Sequence, residues 1–379
     1  MFIKNNPNKK IWIITELFYP DETATAYIFT RIANHLSKKY KINIITGPKF
    51  YDKDKINFFD KKKLSTEIKI HRFYEFRINK NSLFDRFFKH IFLSFWMSYM
   101  LFKKIKKNET VISATNPGFL IIILSFLKKI KTFNLNVLIH DVFPENTLPA
   151  NVFKNNRNIF YRVIKIIFDK AYASSDHLIV LGRDMKTIML SKTQPYNNKL
   201  KISVVPNWSK FNERIMDSNN INSKNNKTSI LYAGNIGRVQ GLFEVFNAFK
   251  CSENGNIKID VFGSGSSKNK LLNYIKTNKI SNIFFNGSYS RNEESKILNS
   301  CDIALVSLAN GMYGLGVPSK TYNILSNGKP ILFIGDPKSE VSLLINEFNI
   351  GWSLDVSKNN DIINFFNKLN SIDKNVLIK

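Results

Sequence analysis

The feature that most constrains the fold is an alternation: short, strongly apolar runs recur along the chain, each followed by a segment of helix length. In the first half these runs are IWIIT, KINIIT, TVISA, NVLIH, HLIVL and KISVVP; in the second they are SILYAG, IKIDVFG, NIFFNG, DIALVSL and PILFIG. Near-continuous apolar strands alternating with amphipathic helices belong to parallel sheets covered on both faces. At 379 residues with 44% hydrophobic content, the chain exceeds what one core organises. The expectation is an α/β protein of two doubly wound sheets in tandem. A polar, asparagine-rich stretch divides them, so the expected domains are 1–205 and 228–379, with a linker over 206–227.

Several function classes recede on composition. Two cysteines, Cys251 and Cys301, are too few for a disulfide framework and lack zinc-site spacing, which points to a reducing compartment. The N-terminal apolar run covers only Ile11 to Ile14 and is read as a first strand, not a signal peptide. Ile91 to Phe102 and Gly118 to Leu127 fall short of the roughly 20 apolar residues of a membrane span. The formal charge of +27 calls for anionic partners or reflects composition bias. No recognised DNA or RNA module accompanies it, so no specific nucleic acid is expected.

Three turns in the second half carry phosphate chemistry. Gly234-Asn235-Ile236-Gly237-Arg238 follows SILYA, and Gly263-Ser264-Gly265-Ser266-Ser267 follows IDVF. Glycines there admit a ligand close to backbone N–H groups, with a helix N-terminus behind them. Neither turn completes a dinucleotide or P-loop fingerprint, and each alone reads equally well as structural. The third is Gly314 to Lys320, where Ser319 suits an N-cap, Gly328 a C-cap and Pro330 a stop. Lys320 then lies in the first turn of a helix, where a cation opposes the helix dipole unless an anion shares the site.

In the first half, His140 and Asp141 end a buried strand, with Glu145 just beyond, and strand C-termini line the ligand crevice of open α/β sheets. His140 reads alternatively as a core histidine. Asp52-Lys53-Asp54 matches a bare metal-binding DxD pattern but sits in a charged loop. No metal site and no cofactor is expected. From Lys80 to Lys107, aromatics bracketed by bases fit either a core helix or one that offers a face to an anionic lipid surface.

In order and spacing, ELFYPDETATAY, HDVFPEN, IVLGRDM, VVPNW, YAGNIGRVQGL, FGSGS and VPSKTYNILSNGKPIL make the chain resemble glycosyltransferase family 4, of the GT-B fold, and within it bacterial O-antigen and colanic-acid enzymes. The resemblance covers nearly the whole chain. It implies two Rossmann-like domains facing a central cleft and metal-independent hexosyl transfer with retention of configuration. The donor, a UDP- or GDP-sugar, falls to the second domain through Gly234, Asn235, Gly237, Gly263, Gly265, Ser319 and Asn323. Arg238 and Lys320 would stabilise the leaving diphosphate, with His140 and Asp141 beside the sugar. Thr23, Thr25 and Glu145 would meet a lipid-diphosphate-linked saccharide acceptor, at the inner face of the cytoplasmic membrane.

The chain departs from the family pattern. Many members carry two glutamates around the last motif, one toward the sugar and one toward the ribose; here those positions hold Leu315 and Asn323. The usual Arg and Lys of the first second-half loop are replaced by Asn235 and Gln240. Three alternatives stand beside the transferase: a nucleotide-sugar 2-epimerase of the same fold, a non-catalytic sugar-nucleotide-binding relative, which the missing glutamates favour, and a nucleic-acid-binding protein, which charge alone favours.

Overall fold

The computed structural model describes residues 9–21, 23–48, 64–73, 83–209, 227–290 and 293–372, with the backbone alone for 83–87. The chain forms two compact units. One comprises Met1–Glu145, Asn156–Leu181 and Met185–Val205; the other comprises Asn146–Asn155, Gly182–Asp184 and Pro206–Lys379.

The first unit is a seven-stranded parallel sheet. Its strands are β1 (Lys10–Thr15), β2 (Lys41–Thr46), β3 (Lys69–Arg72), β4 (Thr110–Ala114), β5 (Asn134–Ile139), β6 (His177–Val180) and β7 (Lys201–Val204), in the order β3-β2-β1-β4-β5-β6-β7. β1 lies inside the sheet between β2 and β4, and its Ile11, Ile13 and Ile14 are buried, as β-branched side chains suit a doubly covered strand. Ile11 pairs with Ile42 on one side and Thr110 on the other. Around the sheet run α1 (Ala24–Ser37), α2 (Leu83–Lys104), α3 (Leu120–Lys131), α4 (Ile159–Ala173) and α5 (Arg183–Thr193).

The second unit repeats the plan with six parallel strands: β8 (Thr228–Ala233), β9 (Ile257–Phe262), β10 (Ile283–Phe285), β11 (Ile303–Ser307), β12 (Ile331–Gly335) and β13 (Gly351–Asp355), ordered β10-β9-β8-β11-β12-β13. Its helices are α6 (Leu242–Lys250), α7 (Lys268–Thr277), α8 (Glu294–Asn299), α9 (Lys320–Ser326), α10 (Glu340–Phe348) and α11 (Asn359–Ser371). Phe246 and Phe249 of α6 and Phe366 of α11 are wholly buried in its core against Ile230 and Ile259. Each such side chain contributes about 2 to 3 kcal/mol.

Strand order reverses between β1 and β4 in the first sheet and between β8 and β11 in the second. Outside the carboxyl ends of the strands at such a reversal, an open α/β sheet leaves a crevice.

Candidate functional site

In the second unit the turns after β8 and β9 are joined backbone to backbone. Gly234 N–H donates to Phe262 O at 2.9 Å, Ile236 N–H to Ser264 O at 2.8 Å, and Ser267 N–H to Ile236 O at 2.9 Å. The approach is so close that a Cβ on Gly263 would lie 1.8 Å from Gly234 O, and Gly263 holds φ at +139°. Gly263 and Gly265 thus act first as packing glycines that hold the Gly234–Ile236 turn in place. Gly237 is engaged as well: its N–H donates to Gln240 Oε1 at 2.9 Å. Asn235 and Arg238 are exposed beside it, and Arg238 Nη1 donates to Ala150 O at 3.3 Å.

Lys320 opens α9, with Ser319 at the N-cap position in helical conformation and making no side-chain cap bond. The Lys320 ammonium is buried and has no hydrogen-bond partner among the described residues. It stands over the Tyr232 ring, 3.4 Å from the centroid. A Cβ on Gly234 would lie 3.4 Å from the same nitrogen, so the turn after β8 passes directly beside it. Burial lowers the pKa of Lys320 to about 7. A buried cation without a counter-charge costs several kcal/mol, and an anion at this spot removes that cost.

Asn323, one turn further along α9, does not stand alone. Its Nδ2 donates to Glu294 Oε1 of α8 at 2.9 Å. A carboxylate therefore lies against the position where the family pattern has its second glutamate, brought there from another helix. Leu315, at the first glutamate position, is buried in the apolar core.

In the first unit, His140 and Asp141 follow β5 as the sequence implies. Both backbone N–H groups donate to Thr115 Oγ1, at 3.2 and 3.4 Å. Neither ring nitrogen of His140 has a partner among the described residues. Its ring lies 5.9 Å from that of Phe29, and burial lowers its pKa to about 4. The imidazole is therefore neutral at physiological pH and offers one donor and one acceptor. Burial raises the Asp141 pKa, opposed by a hydrogen bond to Asn116. Glu16, just after β1, is also buried at this end of the sheet, 3.7 Å from His90 Nδ1 of α2.

Two of the three proposed acceptor residues have other partners. Thr23 caps α1, its Oγ1 accepting from Ala26 N–H at 3.2 Å. Thr25 is half-buried in the first turn of the same helix. Glu145 accepts from Lys192 Nζ at 2.6 Å with both oxygens and pairs with Lys165 at 3.3 Å. Both lysines also pair with Asp169, closing a cluster of four charges. Lys192 is 2% exposed, so this cluster belongs to the interior.

Asp52-Lys53-Asp54 lies outside the described residues. Among the described residues no group of three or more metal-ligating side chains comes together.

Residues 213–373 match the family described as glycosyl transferases group 1. The probable glycosyltransferase WbjE of Pseudomonas aeruginosa is 33% identical over 283 residues, covering 73% of this chain and 70% of that protein. WaaG, a glycosyltransferase involved in lipopolysaccharide biosynthesis, superposes with a TM-score of 0.65 at 14% identity, over 97% of this chain and 92% of its own. TarM of S. aureus, solved with Fondaparinux, alpha-GlcNAc-glycerol and UDP, gives 0.63 at 14% identity over 98% and 94%. The fold they share with this chain is GT-B: two Rossmann-like parallel-sheet domains.

Proposed function

The chain belongs to the glycosyl transferases group 1 family, and from that premise we propose that it moves a hexosyl group from a UDP- or GDP-sugar to a lipid-diphosphate-linked saccharide, with retention of configuration. The observation that carries the donor half is the buried, unpartnered ammonium of Lys320 beside the Gly234 turn. A diphosphate placed there supplies the missing counter-charge. As the glycosidic bond breaks, the diphosphate gains negative charge, so its attraction to Lys320 and to Arg238 grows toward the transition state. These two side chains take the role a divalent cation has elsewhere, which makes the reaction metal-independent in this reading, and no cofactor enters it.

The acceptor half rests on the first unit. Neutral His140 holds a sugar hydroxyl by hydrogen bond without adding a competing cation. Asp141 lies next to it. Glu145 supports the fold of this region through Lys192 and is not assigned to the acceptor. WaaG's role in lipopolysaccharide biosynthesis and the UDP bound by TarM support surface-polysaccharide synthesis from a nucleotide sugar. The place of action is the inner face of the cytoplasmic membrane.

The test has two arms. A panel of UDP- and GDP-sugars is screened by melting temperature, since a ligand of the folded state stabilises it by mass action. Lys320→Ala and Arg238→Ala are then assayed for transfer, and each is expected to lower turnover on the order of a hundredfold. No shift with any nucleotide sugar at saturating concentration sinks the transferase and epimerase readings together. Binding without turnover, which the replacements at Leu315 and Asn323 favour, identifies a binding module.

A further inference from the structure

The outer face of the first unit exposes side chains that water disfavours. On α2, Phe88, Phe92, Phe95, Tyr99 and Phe102 recur at helical spacing and are 63, 52, 60, 53 and 38% exposed. On the opposite side of the helix Leu93, Met97 and Leu101 are buried. α2 therefore has two apolar faces, and its own domain covers one of them. α3 packs against both α2 and α4. It adds exposed Phe126 and Ile130, and α4 adds Ile159, Phe160, Val163, Ile166 and Ile167. A run of exposed apolar groups this wide marks an interaction site.

Charge identifies what covers it. α2 carries a single carboxylate in its sequence, Asp85 near its start, against Arg86, Lys89, Lys103 and Lys104; α3 carries none, and the one on α4, Asp169, is buried in ion pairs with Lys165 and Lys192. The cations are part of the surface: Lys103 Nζ lies 4.4 Å over the Tyr99 ring and Lys131 Nζ 4.4 Å over the Phe102 ring. Lys104, Lys106, Lys107 and Lys129 are exposed nearby. A second copy of this chain docked through the same face would set these lysines against their like. An anionic bilayer answers both properties, with headgroups for the lysines and the acyl boundary for the rings. Among the described residues no helix is long and apolar enough to cross a membrane, so the helices lie on the bilayer.

We propose that α2, α3 and α4 together form a docking surface for an anionic lipid bilayer. The surface is joined to the chemistry through α2, whose His90 reaches Glu16 at the end of β1, where the strand order reverses. That link rests on the lipid-linked-acceptor reading; the docking does not.

The full chain is sedimented with vesicles of phosphatidylcholine alone or of phosphatidylcholine with phosphatidylglycerol, at physiological salt. Binding is expected to the anionic vesicles and not to the neutral ones. A lysine near such a surface is worth about fivefold in partition, so Lys103→Gln with Lys104→Gln weakens binding by more than tenfold. Phe92→Ser with Phe95→Ser, and separately Phe160→Ser with Val163→Ser, are expected to weaken it as strongly. All these side chains are exposed, so unliganded melting and the melting shift with UDP stay at the wild-type values. These readouts separate failure of docking from failure of the transferase reading. A full chain that ignores anionic vesicles overturns the proposal, and an α4 pair that leaves partition unchanged overturns the three-helix surface. A lipid-free dimer abolished by the same substitutions assigns the face to a second copy instead.

Discussion

The Lys320 ammonium and the Tyr232 ring form a cation–π pair at 3.4 Å, with the Tyr232 hydroxyl donating away from it to Asn235 O at 2.5 Å. Cation–π attraction returns only about 1 to 2 kcal/mol. The remaining desolvation cost is why burial lowers the lysine from 10.5 to about 7. The unliganded protein holds this amine at a loss of stability that a bound anion cancels.

Lys320→Met is therefore expected to raise the melting temperature of the unliganded protein. The sign follows from linkage: between pH 7 and 10.5 the unfolded lysine binds a proton that the folded one does not, so wild-type stability climbs with pH across that window. The advantage of the methionine variant should be largest at pH 7 and below, on the order of a few kcal/mol, and should fade toward pH 10. Melting curves at four pH values decide it; a constant difference refutes the assignment. By the same logic, UDP binding at pH 8 should take up about one proton, read as a buffer-dependent binding enthalpy.

Asn323→Asp would set a second carboxylate against Glu294, at a contact now 2.9 Å long. Like charges that close are expected to cost about 1 kcal/mol or more, and adding Glu294→Gln should restore most of it. Chemical denaturation of the two single variants and the double variant measures the coupling. If the two changes add independently in the double variant, the two side chains do not share a contact.

Lys192→Met removes the more deeply buried of the two cations that pair with Glu145 and Asp169. Breaking one partner out of a buried charge cluster typically costs about 3 to 5 kcal/mol. A loss of that size is expected in the unfolding transition of the first unit, followed by circular dichroism. A small effect would show the cluster to be solvated, and would return Glu145 to the candidates for acceptor binding.

Two glycines separate packing from backbone freedom. Gly263→Ala drives a Cβ into Gly234 O and should unseat the turn beside Lys320, at a cost on the order of 3 kcal/mol and with loss of the UDP-induced melting shift. Gly328 holds φ at +63°, and a Cβ there would meet nothing within 4 Å, so Gly328→Ala should cost only about 1 kcal/mol. Equal effects would mean that φ alone matters at both sites.

The strands that read clearly in the sequence are those buried on both faces, such as β1 and β8, because nothing polar interrupts their apolar run. KIHR of β3 and GWSLD of β13 do not stand out, because both are only half buried and charged or polar side chains interrupt their apolar run. Within the site, Lys320 is legible as a local anomaly: a cation at the wrong end of a helix. The partners of Asn323 and Glu145 are not. Glu294 lies 29 positions from Asn323 and Lys192 lies 47 from Glu145, and no local period encodes a contact at that range. The exposed stripe of α2 is visible as aromatics among bases, whereas the matching face of α4 reads in sequence like an ordinary core helix.

The interior position of β1, between β2 and β4, also sets the order of events on the ribosome. The strand is synthesised long before its neighbour across the strand-order reversal, which begins at Thr110 opposite Ile11. Pairing so distant in sequence slows folding, and an isoleucine-rich strand left open in the meantime invites association with other nascent chains. Until β4 emerges, β2 can shelter one edge of that strand; the other edge depends on whatever meets the nascent chain first.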